Sequence, residues 1–267
     1  MPDVLLVQPP IRDFYLTAKR TIAYGLACVA AALNAEGFSV AILDGLATGK
    51  SRPLPLPPEL NHLRQFYSRP DASPFALFHR FRHFGFSFEH LARRARECGA
   101  PLVGISALCT PYAGEALTAA AAIKALHPAC TIVMGGHHAT VLPESLLASE
   151  AVDYVLRGEG EVSMPLLARR LRDGADVSGI PGIGFRRPDG SLCIRAPAVM
   201  QRLEAYPRPA LGHLNLAYYR RGGRKSIVVT AGRGCPFACS YCSVGRQSWL
   251  PYRLRPVAEV VAELEEA

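Results

Sequence analysis

Apolar residues recur along this chain with two different periods. Short apolar runs at 4–7, 38–43, 102–108, 131–134 and 152–156 read as strands buried on both faces. Between them the spacing becomes helical. Ile22, Leu26, Val29, Ala30 and Leu33 recur at helix intervals until Gly37 stops the helix, and further helical stretches fall at about 112–126, 140–149 and 160–173. Strands alternating with helices predict right-handed crossovers and a parallel, flavodoxin-like or Rossmann-like α/β sheet covered on both faces. Ligands of such a sheet sit beyond the carboxyl ends of its strands, at the switch point in strand order.

The alternation breaks twice. Residues 50–98 form an insertion between the second and third strands, proline-rich at first and then aromatic, with Phe75, Phe78, Phe81, Phe84, Phe86 and Phe88. A loop this long is expected to be either a structural cap or a lid over the ligand edge. After Gly174 the composition changes. The segments 183–186 and 192–195 flank Pro188-Asp189-Gly190-Ser191 and predict a β-hairpin, and 197–209 reads as a connector. A strand at 226–231 and a helix at 257–264, introduced by Arg255-Pro256, close the chain. The expected organisation is a first domain over 1–175, a linker with the hairpin over 176–225, and the start of a second domain over 226–267.

Composition narrows the setting. The chain is 49% hydrophobic, enough for a globular core, and no apolar run approaches the roughly 18–20 residues that span a bilayer. No basic-then-apolar leader opens it, so a cytoplasmic location without a membrane partner is expected. The net charge of +8 invites an anionic partner, but Arg and Lys are dispersed, with Arg93, Arg94 and Arg96 the densest group. Nucleic acid is therefore not an expected partner. Cys28, Cys98, Cys109, Cys130 and Cys193 are scattered through apolar or helical settings and read as core thiols in a reducing compartment.

Two motif look-alikes are set aside. Gly45-Leu46-Ala47-Thr48-Gly49-Lys50-Ser51 follows a strand but is one residue short of a phosphate-binding loop, and a proline-rich segment follows where a helix should start. His79 and His83 make an i, i+4 pair on an expected helix, with His90 beyond, yet no acidic or cysteine partner lies at useful spacing. They read as solvent-exposed, not as a zinc site.

The chemistry concentrates in Cys235-Pro236-Phe237-Ala238-Cys239-Ser240-Tyr241-Cys242, where three of the eight cysteines fall in a C-x3-C-x2-C spacing after a glycine-rich turn. Thiolates select soft metals. Three of them leave one position of a four-coordinate zinc, or one iron of a four-iron cluster, open to an outside ligand.

With Thr230-Ala231-Gly232-Arg233-Gly234 included, the stretch resembles the cluster loop of radical S-adenosylmethionine (SAM) enzymes. The resemblance implies a 4Fe-4S cluster on Cys235, Cys239 and Cys242, SAM on the fourth iron, reductive cleavage to a deoxyadenosyl radical, and Tyr241 near the adenine. It also implies an external electron donor such as flavodoxin or ferredoxin.

The strand ends carry a second resemblance. Gln8-Pro9-Pro10 after the first strand, Tyr24-Gly25-Leu26-Ala27 at the first helix, Gly135-Gly136-His137-His138 after the fourth strand and Gly158-Glu159-Gly160-Glu161 after the fifth resemble the cobalamin-binding domain at the front of many such enzymes. The expected corrinoid contacts are Gln8, Pro9, Ser106, Gly135, Gly136, His137, Gly158, Glu159 and Gly160. The loop after the first strand lacks the Asp-x-His-x-x-Gly motif whose histidine holds cobalt in many relatives. A bound corrinoid is thus expected to lack a protein imidazole from that loop.

The resemblance implies a cobalamin-dependent radical SAM enzyme. It would transfer a methyl group to a poorly activated centre or run a radical cyclisation or rearrangement on a small-molecule substrate, such as a natural-product or cofactor intermediate. Residues 226–267 hold one strand, the cysteine loop and one helix, and each βα unit takes roughly 30 residues, so the barrel is expected to be incomplete here. Two other classes remain: a non-catalytic corrinoid carrier, which would not need the cysteine loop, and an RNA-modifying radical SAM enzyme, whose methylthio-transferring kind carries a cysteine-bearing first domain that has no counterpart here.

Overall fold

The strands β1 (Val4–Gln8) and β2 (Ile11–Asp13) are followed by helix α1 (Tyr24–Ala35), then by β3 (Val40–Asp44), β4 (Ser51–Pro53), α2 (Arg64–Tyr67) and β5 (Arg82–Phe84). Helix α3 (Phe88–Cys98), strand β6 (Leu102–Ser106), α4 (Ala113–Leu126) and β7 (Thr131–Gly135) continue the chain. After them come α5 (His137–Val141), α6 (Pro143–Leu147), β8 (Tyr154–Leu156), α7 (Gly160–Arg172), β9 (Ile183–Arg186) and β10 (Leu192–Ile194). The computed structural model describes residues 1–14, 22–67, 80–221, 223–237, 239–242 and 250–266.

Seven strands form one sheet in the order β10-β9-β8-β7-β6-β1-β3. The five strands from β3 to β8 in this row pair in parallel, whereas β9 joins β8, and β10 joins β9, antiparallel. In chain order the parallel strands run 2-1-3-4-5, the flavodoxin-like arrangement, whose switch point lies between β1 and β6.

Period-two alternation decides which face each side chain serves. Leu5, Val7, Val103, Ile105, Ile132 and Met134 join α3, α4 and α6 through Leu91, Ala95, Ala120, Ile123 and Leu146. Val4, Leu6, Leu102 and Val133 turn the other way, onto Ala30 and Leu33 of α1 and Leu167 of α7. The result is the three-layer sandwich that the alternating pattern predicts.

Several expectations need correction. The hairpin expected in the linker extends the main sheet, because β9 offers Ile183 and Phe185 to the same apolar layer as Leu156. Helix α3 belongs to the core and not to the inserted segment. Leu91, Ala92 and Ala95 are buried in it, Ser87 caps it by accepting from the His90 amide at 3.2 Å, and Gly99 ends it in the left-handed region. The stretch expected as one helix over 140–149 is two short ones, since Pro143 starts α6 and has no amide to continue α5. His83 lies on a strand, buried, with Nε2 against the Phe86 carbonyl at 2.8 Å; it is not an exposed helical residue. His79 lies outside the described residues. Cys109 is exposed and so is not a core thiol, while Cys28, Cys130 and Cys193 are buried.

The inserted segment contributes β4 and β5, which pair with β2 in a separate antiparallel sheet of order β2-β5-β4. That small sheet is stitched to the end of β3, where the Phe86 amide donates to the Gly45 carbonyl at 2.8 Å and the Gly85 amide to the Lys50 carbonyl at 3.0 Å. It caps the carboxyl ends of β1 and β3.

Candidate functional site

The strand ends divide into a covered half and an open half. On the covered side, Gln8 and Asp44 are register partners, and the Gln8 carbonyl accepts from the Gly45 amide at 2.8 Å. Pro9 is buried there, so it is a wall of the small sheet's attachment and not a free surface. On the open side, Ser106 and Gly135 are register partners, both half-buried, with His137 exposed at the first turn of α5. Large apolar side chains stand in solvent around them: Leu108 (51% exposed) after β6, then Val141 and Leu142 at the end of α5. These three were missed by sequence reasoning, because an apolar residue inside a strand run or a helical stretch looks like core.

His138 is spoken for. It is buried, its Nδ1 faces the Thr110 hydroxyl at 3.1 Å and its Nε2 the Ser145 hydroxyl at 2.9 Å, and burial pushes its pKa below the usual imidazole range. His137 is the exposed imidazole of the pair.

The glycines serve the protein's own backbone. Gly136 has φ +116°, and a β-carbon on it would meet the Ala107 carbonyl oxygen at 2.7 Å. Gly158, with φ +84°, passes against Ala198 in an isolated parallel bridge, where a β-carbon would overlap that residue's carbonyl. Of these glycines Gly135 has the most room beside it, since a β-carbon there would meet only the Leu156 carbonyl at 3.8 Å. Gly160 opens α7 against Val29.

Glu159 corrects its expected role most clearly. It is buried, and its carboxylate is engaged within the protein: it accepts from the Met200 amide at 2.6 Å and from Arg253 Nη1 and Nη2 at 2.8 and 3.1 Å, with Arg233 Nη1 at 3.4 Å. Its neighbour Glu161 receives Arg233 Nη2 at 2.5 Å. Burial alone would lower the Arg233 pKa, but the adjacent Glu161 charge outweighs it and the guanidinium is held above its usual range.

The far partners of these carboxylates flank the cysteine loop. Strand β11 (Arg220–Arg221) pairs with β12 (Arg224–Lys225), and β13 (Gly232–Arg233) pairs antiparallel with β14 (Arg253–Leu254). Helix α8 (Val257–Glu266) follows. The strand expected over 226–231 forms no ladder among the described residues, and pairing is confined to Gly232 and Arg233. It is pinned by side chains instead: Tyr24 Oη stands 2.8 Å from Thr230 Oγ1, and Arg255 donates to the Thr230 carbonyl at 3.0 Å and to Glu263 at 2.5 Å. Beneath it Cys28 is buried, which pushes its thiol pKa up to about 12. Such a thiol is inert.

Cys235, Cys239 and Cys242 are all half-buried, with Phe237 and Tyr241 exposed (Tyr241 90%), and the Cys242 amide closes a turn on the Cys239 carbonyl at 3.1 Å. Ala238 and 243–249 lie outside the described residues. Among the described residues, no three metal-ligating side chains stand close enough to hold an ion. Sites of this kind rarely preform, because thiolates gather only around the metal. The donor chemistry fits: three accessible sulfurs lie on one short loop, whereas the other cysteines are scattered singly and Cys28, Cys130 and Cys193 are buried.

Comparison with known proteins matches the B12 binding domain model over residues 76–168, the stretch from the inserted segment into α7. An uncharacterised methyltransferase of Pyrococcus horikoshii is 31% identical over 67% of this chain and 39% of its own length. The cytidylyl-2-hydroxyethylphosphonate methyltransferase of Streptomyces wedmorensis is 26% identical over 98% of this chain and 51% of its own length. Among solved structures, the radical SAM methyltransferase TsrM of Kitasatospora setae, bound to tryptophan and a SAM analogue, superposes with TM-score 0.63 at 25% identity, over 98% of this chain and 44% of that one. The chain belongs to the cobalamin-binding radical SAM family.

The chain spans about half the length, or less, of the curated relatives it matches. Within this cobalamin-binding radical SAM chain, a mostly parallel sheet with an open edge and a three-cysteine loop are joined by buried ion pairs. Among the described residues no helix is long and apolar enough to cross a membrane.

Proposed function

We propose that the open edge of β6, β7 and β8 receives a corrinoid, that Cys235, Cys239 and Cys242 hold a 4Fe-4S cluster, and that the protein catalyses SAM-dependent methylation of a small molecule. The observation that carries the reading is the joining of an open, apolar-rimmed strand edge to a three-thiol loop by Glu159 and Arg253. Bound there, the corrinoid would supply the methyl group and the cluster the electron that cleaves SAM.

The chain's own residues bind and orient. Ser106 offers a hydroxyl at the end of β6, and Gly135 lets a large planar ligand approach the backbone of β7. Leu108, Val141 and Leu142 give an apolar rim that a macrocycle would cover, removing exposed apolar surface from water. His137, exposed at the first turn of α5, would hydrogen-bond a peripheral amide, since both nitrogens of His138 are already engaged. Tyr241, extended into solvent beside the last cysteine, is available to stack on an adenine. The main sheet and the connector serve as one support, since β9 and β10 complete the sheet and Leu214 and Tyr219 pack against Ile22 and Ala27. An electron donor of the flavodoxin or ferredoxin class would complete the system.

Anaerobic reconstitution with iron, sulfide and hydroxocobalamin tests the assignment. Retention of about four irons and one cobalt per chain is the expected result. Cobalt without iron removes the cluster half of the reading, and iron without cobalt removes the corrinoid half. With substrate in hand, methyl gain by mass spectrometry distinguishes methylation from ring closure.

A further inference from the structure

We infer that Glu159 and Glu161 are positioning residues for the cysteine loop, acting through Arg233 and Arg253. The inference rests on the reading that this loop holds the cluster. Four charged side chains from two distant parts of the chain meet with little solvent around them: the Glu159 side chain is 4% exposed, Glu161 7%, Arg253 12% and Arg233 29%. Charges buried this far are tolerated only when paired and hydrogen-bonded. Here every carboxylate oxygen of Glu159 has a guanidinium partner, and Oε2 also takes the Met200 amide.

The covalent path from this cluster to the metal ligands is very short. A single residue separates Arg233 from Cys235, and that residue is Gly234, at φ +80°, where an added β-carbon would overlap the Pro251 carbonyl. Arg253 is the register partner of Arg233 across the β13–β14 ladder, so both strands that lead into and out of the loop are gripped by the same turn. Arg253 Nη1 also donates to the Met200 carbonyl at 2.5 Å, which ties the connector to the same point. The Gly158–Glu161 turn is therefore a post. Its backbone is fixed against Ala198, and its carboxylates set where Cys235 begins. Removing the Glu161 carboxylate takes away the shorter of the two ion pairs that hold Arg233 and leaves an excess positive charge beside the loop, which eases reduction of a cluster held there.

The test uses the anaerobically reconstituted protein and the variants Glu161→Gln, Arg233→Gln and their combination. Three quantities are read: hydroxocobalamin affinity by visible absorbance, cluster midpoint potential, and the electron paramagnetic resonance spectrum of the reduced cluster with and without SAM. Circular dichroism gives the folding control. In Glu161→Gln, hydroxocobalamin affinity stays within about twofold of the parent, the potential shifts upward and the spectral change on adding SAM is altered. The double variant is no worse than the more affected single one, because both remove one interaction. A Glu161→Gln protein with parental potential and spectrum overturns the inference, as does one that loses corrinoid affinity tenfold with its cluster spectrum intact. If the glutamine variants do not fold, Arg233→Lys keeps the charge and loses the fork; a spectrum identical to the parent's in that variant is equally fatal. A parent protein that takes up no iron defeats the cluster reading itself, and the positioning role with it, whereas normal iron in the parent with unchanged variants defeats only the positioning role.

Discussion

A β-carbon placed on Gly136 would stand 2.7 Å from the carbonyl oxygen of Ala107, and the same carbonyl accepts the His138 amide at 3.1 Å. The end of β7 is thus pressed against the end of β6 by the protein itself. Gly136→Val is expected to destabilise the fold by more than the roughly 1–3 kcal/mol that a strained backbone alone costs, because overlap is added to the positive φ. Gly135→Ala is expected to keep the fold, since its β-carbon meets nothing nearer than 3.8 Å, and to weaken hydroxocobalamin binding. Urea unfolding with an absorbance titration checks both. Normal stability in Gly136→Val would contradict the packing argument.

Cys235, Cys239 and Cys242 are accessible and Cys28 is buried with its thiol pushed up to about 12. Replacing any one of the three loop cysteines by Ala should remove most of the reconstituted iron, while Cys28→Ala and Cys130→Ala should retain it. Iron and sulfide analysis decides the matter; full iron in Cys239→Ala would sink the ligand assignment.

No imidazole is offered to cobalt from the loop after β1, and His138 uses both nitrogens on Thr110 and Ser145. The paramagnetic resonance spectrum of the cob(II) form is therefore expected to show no strong axial-nitrogen splitting, and His137→Ala should not change it. Nitrogen splitting that vanishes in His137→Ala would place that imidazole on the metal.

His83 and His138 are both buried, and burial lowers the pKa of each below the ordinary value. A histidine with a depressed folded-state pKa takes up its proton more readily in the unfolded chain. Its contribution to stability is present above the unfolded pKa of about 6.5 and is lost as the pH falls below it. The denaturant midpoint should therefore drop between pH 7.5 and 5.5, and the drop should shrink in His83→Gln/His138→Gln. A parent whose midpoint is unchanged over that range would refute this.

Leu91 is fully buried between α3 and the sheet. If α3 is a core helix, Leu91→Ala should cost about 2–5 kcal/mol, as measured by equilibrium unfolding. A loss below 1 kcal/mol would return α3 to the status of an appended segment.

The sequence by itself determined the parallel strands, their crossover helices and the chemistry of the cysteine loop. All of these are local: apolar runs and period changes lie within a few residues of one another, and three thiols in eight positions need no fold to bring them near. Helix α3 was equally legible, with Ser87 as cap, apolar residues at helical spacing and Gly99 as stop, but the aromatic run around it hid the signal. What only the tertiary structure decided were matters of partners distant in sequence. Strand β9 reads the same whether it stands in a linker or on a sheet edge, and only its pairing with β8 settles which. Gly158-Glu159-Gly160-Glu161 looks like a ligand-binding loop because glycines and carboxylates at a strand end commonly are one. Its glycine was claimed by Ala198, and its carboxylates by Arg233 and Arg253, more than seventy residues away in the chain. Charge pairing and backbone overlap at that range leave no periodicity to read, so the post under the cysteine loop emerged only from the folded molecule.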